Sequence, residues 1–294
     1  MIRVRAPATS ANLGAGFDVF ALALKEPFDE IIVEESDEIE LKVSGISEGV
    51  PKDRRNVAWR IAEELGVTAR IEIFKGIRAA SGLGSSAATS AGVTVALNEL
   101  YSLGLSKEEM IDISARGEEM ISGSYHADNV SAAILGYFTV VKGRGGNLRA
   151  VSIPLKLRVA VCLPEIKVST LEARRSLPEF ISLEEHKEDL STASMMVYEA
   201  LRGNARRFSE LMNRGIAERM RKKFIPFYDD VKRAALEAGA YGVTISGSGP
   251  AIIAVISEES SGVERAMKEV FERNGISCEC FITESGEGVR ILEE

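Results

Sequence analysis

An α+β fold of two domains is predicted by three features of the chain. Its 294 residues are enough for about two hydrophobic cores. Short strand-like runs alternate with helix-like ones throughout its first half. Its second half, with a long helical stretch set aside as an insertion, reads β-α-β-β-α-β, the ferredoxin-like order. A boundary is expected near Pro154, dividing residues 1–154 from residues 155–294.

Residues 2–5 alternate as a strand, and the pattern then breaks at Ala6 into a small and polar stretch, expected as a long binding loop, before strand residues resume at 19–24. Residues 31–35 and 39–43 read as a polar-faced hairpin. Asn56 is placed to cap a helix over 57–65, whose apolar stripe is Trp59, Ile61, Ala62 and Leu65. A strand over 69–75 leads into a glycine loop and a helix over 87–101. Ser106 and Glu109 have capping-box spacing ahead of a helix over 107–120. A glycine-flanked turn then carries His126, Asp128 and Asn129, and strands are expected over 136–141 and 148–153.

In the second half a strand over 158–163 precedes a helical region that begins at 169–177 and reaches to about Lys223. A helix over 228–238, strands over 242–246 and 251–256, a helix over 263–274 and a strand over 277–283 complete the order.

Hydrophobic residues make up 45% and charged residues 27%, an ordinary globular balance. No apolar run approaches the roughly 18 residues of a membrane span, and Met1 leads straight into a strand, so a cytoplasmic protein without membrane contact is expected. A net charge of −8 argues against a nucleic-acid partner. An anionic ligand therefore needs a local cluster of positive groups. Cys162, Cys278 and Cys280 form no even disulfide set, and Cys-x-Cys without neighbouring histidines is a poor zinc site. Buried strand thiols in a reducing compartment are the expectation.

The stretch Ser81-Gly82-Leu83-Gly84-Ser85-Ser86-Ala87 carries the strongest chemical signal. Two glycines let a backbone approach a ligand, two serines add hydroxyl donors, and the first turn of a helix aims unpaired N–H groups at the same point. That is a phosphate cradle. Gly-x-x-x-x-Gly-Lys-Ser/Thr is absent, so it is not a P-loop. The dinucleotide fingerprint Gly-x-Gly-x-x-Ala is satisfied, but the acidic strand end required about 20 residues on is replaced by a helix start at 103–107.

Three stretches together resemble the motifs of the GHMP kinases, in order and across nearly the whole chain: Pro7-Ala8-Thr9-Ser10-Ala11-Asn12-Leu13-Gly14-x-Gly16-Phe17-Asp18, Gly82-Leu83-Gly84-Ser85-Ser86-Ala87-Ala88, and Ser246-Gly247-Ser248-Gly249-Pro250. His126-x-Asp128-Asn129-Val130, with Ser169 to Arg174, is most similar to those members that phosphorylate L-homoserine. Ala15 and Arg78 stand where the family usually has proline, and Ala133 and Tyr137 replace a common Pro and Gly, departures that touch loop rigidity. The resemblance implies a ribosomal-S5-like N-terminal domain with a left-handed βαβ unit, a ferredoxin-like C-terminal domain, and an active site between them.

It also implies ATP and Mg²⁺ as cofactors and places Asn12, Asp18, His126, Asp128, Asn129, Arg174 and Arg221 around the substrate. Asp18 and Asp128 suit an ammonium, Arg174 and Arg221 a carboxylate. Asn129 does not titrate, so it orients a hydroxyl without taking its proton. Glu118 falls where the family has its magnesium carboxylate, with Ser86 as a second metal ligand, and Glu119 is structural. Asn56 is assigned to nucleotide or to capping, Arg221 to substrate or to a solvated basic face in the run Arg219-Met220-Arg221-Lys222-Lys223. Ser81 to Ala87 and Ser246 to Gly249 are assigned to the nucleotide phosphates. A mevalonate- or shikimate-type kinase and a non-catalytic sensor on this scaffold stand as alternatives, and a homodimer is left open.

Overall fold

The computed structural model describes residues 1–292. The first half is built on a seven-stranded sheet. Strands β1 (Ile2–Asn12), β2 (Gly16–Glu35) and β3 (Glu40–Gly45) are followed by helix α1 (Val57–Leu65), strand β4 (Ala69–Lys75) and helices α2 (Ser85–Leu100), α3 (Lys107–Ser122) and α4 (Asp128–Leu135), then by strands β5 (Phe138–Lys142) and β6 (Arg149–Ile153).

β1 does not stop at Ala6. It continues to Asn12, and the expected long loop shrinks to the turn at 13–15. From Ala6 onward every residue of β1 is buried, because α2 and α4 pack on it, and a strand covered in this way shows no alternation for a sequence reading to find. β2 likewise runs unbroken through both stretches expected as separate strands. The expected hairpin of residues 31–35 with 39–43 does not form: β4 lies between β2 and β3, antiparallel to the first and parallel to the second. β3-α1-β4 is thus a parallel βαβ unit, and its crossover helix buries Val57, Ala58, Ile61 and Ala62.

Helix α2 is buried on almost all sides, which its Ala, Ser, Thr and Gly composition permits. A Cβ on Gly92 would collide with Ile31, so the glycine sets how closely α2 approaches β2. Ser90, Ser114 and Thr94 exchange hydroxyl hydrogen bonds between α2 and α3, which satisfies polar groups that the burial would otherwise strand.

The change of sheet falls between β6 and β7 (Arg158–Pro164). The expected helical region divides into α5 (Thr170–Arg175), α6 (Leu183–Leu201), α7 (Ala205–Leu211) and α8 (Ile216–Arg221); α9 (Tyr228–Glu237), β8 (Gly242–Ile245), β9 (Ile252–Ile256), α10 (Val263–Arg273) and β10 (Cys278–Glu284) follow. The four strands run in the order β10-β7-β9-β8, all antiparallel, the ferredoxin-like arrangement that the element order predicts. α9 and α10 cover one face over Ala160, Cys162, Ala254 and Ile256. Val159, Val161, Ile253 and Val255 on the other face join the first domain's core together with Met196, Phe208 and Met212.

That shared core is continuous. Phe138 sits between Phe20 and Phe208, its ring edge-on at 5.0 and 4.8 Å, so one aromatic stack ties β2, β5 and α7. The chain end also returns to the first sheet. β11 (Arg290–Ile291), for which the sequence carries no run long enough to read, pairs with β1. Among the described residues no helix is long and apolar enough to cross a membrane.

Candidate active site

Glycine loop, turn and helix ends from both halves converge on a single cleft of about 350 Å³. Asn12 at the end of β1 and Asp18 near the start of β2 flank the turn between them, Ser81 to Ala87, except Leu83, come from the glycine loop, and Glu118 from α3. His126, Asp128 and Asn129 stand at the start of α4, Arg174 on α5, Arg221 at the end of α8, and Gly247 and Ser248 in the β8–β9 turn. Asp128 and Asn129 therefore belong to the first turn of a buried helix and not to the expected open turn.

The end of the cleft that the sequence assigns to phosphate is built on α2. Its N-cap is Gly84 at φ +65°, with no side chain closing it, so the first-turn N–H groups face the cleft. A Cβ on Gly84 would collide with the Thr9 hydroxyl, and one on Gly82 would lie 2.6 Å from the Ser246 carbonyl. Both glycines are thus required by neighbours as well as by backbone angle. Only one of the two serine hydroxyls serves the site. Ser86 donates to Glu118 at 2.6 Å, whereas the Ser85 hydroxyl donates to the Ile77 carbonyl behind the loop. Leu83 points into the core, and its carbonyl accepts from the Thr9 N–H at 3.0 Å.

Beneath this loop lies a buried pair that a sequence reading misses. Lys75 pairs with Asp29 and also donates to the Ser85 carbonyl and the Thr89 hydroxyl, each at 2.9 Å. Asp29 in turn accepts from the N–H groups of Gly76 and Ile77 at 3.0 and 3.1 Å. The pair holds both ends of the loop, strand exit and helix entry. Burial pushes Asp29 up and Lys75 down against each other's charge.

At the other end, Arg174 pairs with Asp18 at 3.0 Å and meets the His126 ring at 3.1 Å. Burial works against the Asp18 charge, but hydrogen bonds from His126 and Arg174 hold its carboxyl below the usual value. Arg221 is only 5% exposed, which removes the solvated-face reading. It donates to the Gly247 carbonyl at 2.8 Å, while its Nε has no partner among the described residues. Both guanidinium groups lie over the Phe17 ring, at 5.8 and 5.1 Å. Asp128 is pushed up to about 6 by burial and by the nearby Asp18 carboxylate.

The Asn12 carboxamide is spent on the scaffold: it accepts from the Asp18 N–H and donates to the Gly247 carbonyl, each at 3.1 Å. Asn129 accepts from the Thr9 hydroxyl at 2.7 Å, so buried Thr9, which lies in the first motif but carries no assigned role in the sequence reading, sets its orientation. Ser246 and Gly249 do not line the cleft. Ser246 clamps the two glycine loops together through the Gly82 carbonyl at 2.7 Å. Asn56 also lies outside it, capping α1 through the Ala58 N–H and donating to the Pro51 carbonyl.

Comparison with known proteins agrees with this architecture. The family model described as GHMP kinases N terminal domain matches residues 54–137, and that described as GHMP kinases C terminal matches residues 196–273. The chain belongs to the GHMP kinases, ATP-dependent enzymes that phosphorylate small molecules. Homoserine kinase of Halorubrum lacusprofundi is 44% identical over the full length of both chains, and that of Pyrococcus abyssi is 43% identical over 98% of each. The crystal structure of homoserine kinase from Cytophaga hutchinsonii superposes with a TM-score of 0.89 at 32% identity, covering 99% of this chain and 97% of that one. Within the family the chain falls among the homoserine kinases.

Proposed function

We propose that the cleft transfers the γ-phosphoryl group of ATP directly to the side-chain hydroxyl of L-homoserine, giving O-phospho-L-homoserine for threonine synthesis. The observation that carries this is the charge pattern at the substrate end. Asp18 and Asp128 stand beside Arg174 and the buried, incompletely paired Arg221. Adjacent poles of both signs complement a small zwitterion and suit neither mevalonate nor shikimate, carboxylates that bring no ammonium. Arg174 and Arg221 bind the carboxylate, Asp18 and Asp128 the ammonium.

Asn129, fixed by Thr9, orients the attacking hydroxyl. Its carboxamide accepts no proton, and His126 is engaged with Arg174 and Asp18, so the hydroxyl proton passes to the phosphoryl group as transfer proceeds. The chain contributes position and charge. α2 and the β8–β9 turn hold the phosphates by backbone N–H groups.

Glu118 and Ser86 fit a magnesium ion, since a carboxylate and a hydroxyl oxygen 2.6 Å apart at the phosphate end are hard oxygen donors. A bound ion there would neutralise phosphate charge.

The test is ADP release from Mg·ATP by the purified protein with L-homoserine, mevalonate, shikimate or no acceptor, the product read by phosphorus NMR. Homoserine-dependent release with phosphohomoserine formed is expected. Release with another acceptor would overturn the substrate assignment, and nucleotide binding without release would make the protein a sensor.

A further inference from the structure

All three cysteines of the chain meet at one point, and none of them lines the cleft. Cys162 lies on β7, and Cys278 and Cys280 lie on its neighbour β10. Antiparallel register sets Cys280 directly opposite Cys162, and Cys278, two residues along, projects from the same face. The sulfurs are 3.0 Å apart for Cys162 and Cys278, 3.0 Å for Cys162 and Cys280, and 3.6 Å for Cys278 and Cys280. α10 covers this face, in the apolar cluster that includes Met267 and Phe271. Cys162 is fully buried, whereas Cys280 is partly exposed, which gives a solute one way in. Among the described residues no histidine or carboxylate joins the group.

Two constraints narrow what such a group takes. Three sulfurs with no fourth ligand are one short of what zinc prefers in a closed site. Three thiolates also bring three negative charges into an apolar pocket, where uncompensated charge is costly. The cation that acts on them, Lys268 of α10, is itself paired with Glu272 at 3.4 Å. A trivalent thiophilic centre meets both constraints, because three sulfurs fill its coordination and cancel its charge.

We propose that Cys162, Cys278 and Cys280 form a binding site for a trivalent metalloid of the arsenite class. Binding is a condensation: As(OH)₃ and three thiols give As(S-Cys)₃ and three waters. Each As–O bond is replaced by an As–S bond, each thiol proton leaves with a hydroxide, and no electron is transferred. The product ties β10, an edge strand, to β7 across 116 residues of chain, and only the folded register brings Cys162 to the Cys278–Cys280 pair, so it stabilises the folded state more than the unfolded one.

The experiment is native mass spectrometry of the full-length, reduced protein with sodium arsenite, alongside thermal melting. One arsenic per chain with three hydrogens lost is expected, and a melting temperature that rises with arsenite concentration. Zinc is expected to give a smaller shift. Cys162→Ala keeps the Cys278 and Cys280 dithiol and is expected to bind at least roughly tenfold more weakly, as is Cys280→Ser at the half-exposed position. The wild-type mass decides the matter even if a variant fails to fold. An adduct that has lost only two hydrogens is a dithiol complex, and either that result or the absence of any adduct would overturn the trithiolate site.

Discussion

Glu118, the carboxylate proposed to hold magnesium, is set by its surroundings to keep its proton. Burial pushes it up to about 7, against the Ser86 hydrogen bond and the charge of Lys75. Because the folded protein holds this proton more tightly than the unfolded chain, ionisation costs stability as pH rises from the ordinary value of 4.5 towards 7. Glu118→Gln is therefore expected to raise the melting temperature at about pH 8 without divalent ions, by the equivalent of roughly 1–2 kcal/mol, while turnover falls by about 100-fold or more. Melting curves and ADP release check the two halves separately, and a destabilised variant would remove the burial argument. In the unaltered protein the magnesium requirement is expected to rise as pH falls through about 7, where the site must shed its proton to bind. Asn129→Asp tests transfer without a base. The new carboxylate would sit beside Asp128 and Asp18, so turnover is expected to fall or hold and not to rise, as initial rates at saturating substrates would show. Residue identity within motifs was legible in the sequence, but burial was not. Arg221 reads as one charge of a basic run or as a substrate ligand and proves to be enclosed, while Asn56 reads first as a cap and does cap α1.

Elements set where those residues stand, and the glycine loop depends on the pair below it. Lys75 ends β4 with an apolar-looking periodicity on either side, and Asp29 is 46 residues away, so no spacing links them. Strand pairing does: β2 and β4 are neighbours. Lys75→Met would leave a buried carboxylate without its cation and is expected to cost about 3–5 kcal/mol. Replacing Asp29 with Asn in the same chain is expected to recover part of that loss. Chemical denaturation of the two single variants and the pair measures the coupling. The ATP requirement is expected to rise wherever Lys75 is replaced, because the Ser85 carbonyl at the helix entry loses its donor. Helices with caps and amphipathic stripes, such as α1 and α3, were legible to within two residues because each states its own limits: Asn56 and Gly66 for the first, the Ser106–Glu109 box for the second. α4 was not, since Ala127 precedes it without a side-chain cap and the helix is buried on nearly all sides. β1 hid for the same reason.

At the scale of the whole molecule, the two sheets are not joined by the cleft alone. After β10 the chain crosses back and stitches itself to the first domain. The Gly286 N–H donates to Ala23 and its carbonyl accepts from Tyr137, Val289 donates to Ala133 at 2.7 Å, and Leu292 donates to Arg3. A Cβ on Gly288 would collide with the Ile134 carbonyl, so the strap lies directly against the C-terminal turn of α4. The N-terminal turn of that same helix carries Asp128 and Asn129. An eight-residue helix transmits a displacement of one end to the other within about 12 Å. Ending the chain after Glu284 removes the strap without touching any cleft residue. Stability is expected to fall by several kcal/mol, at about 1 kcal/mol for each hydrogen bond lost, and the homoserine requirement to rise more than the ATP requirement, because α4 serves the acceptor and α2 the phosphates. Steady-state kinetics below the lowered melting temperature separate the two. Equal losses for both substrates would mean that the strap holds the domains together and does not hold α4.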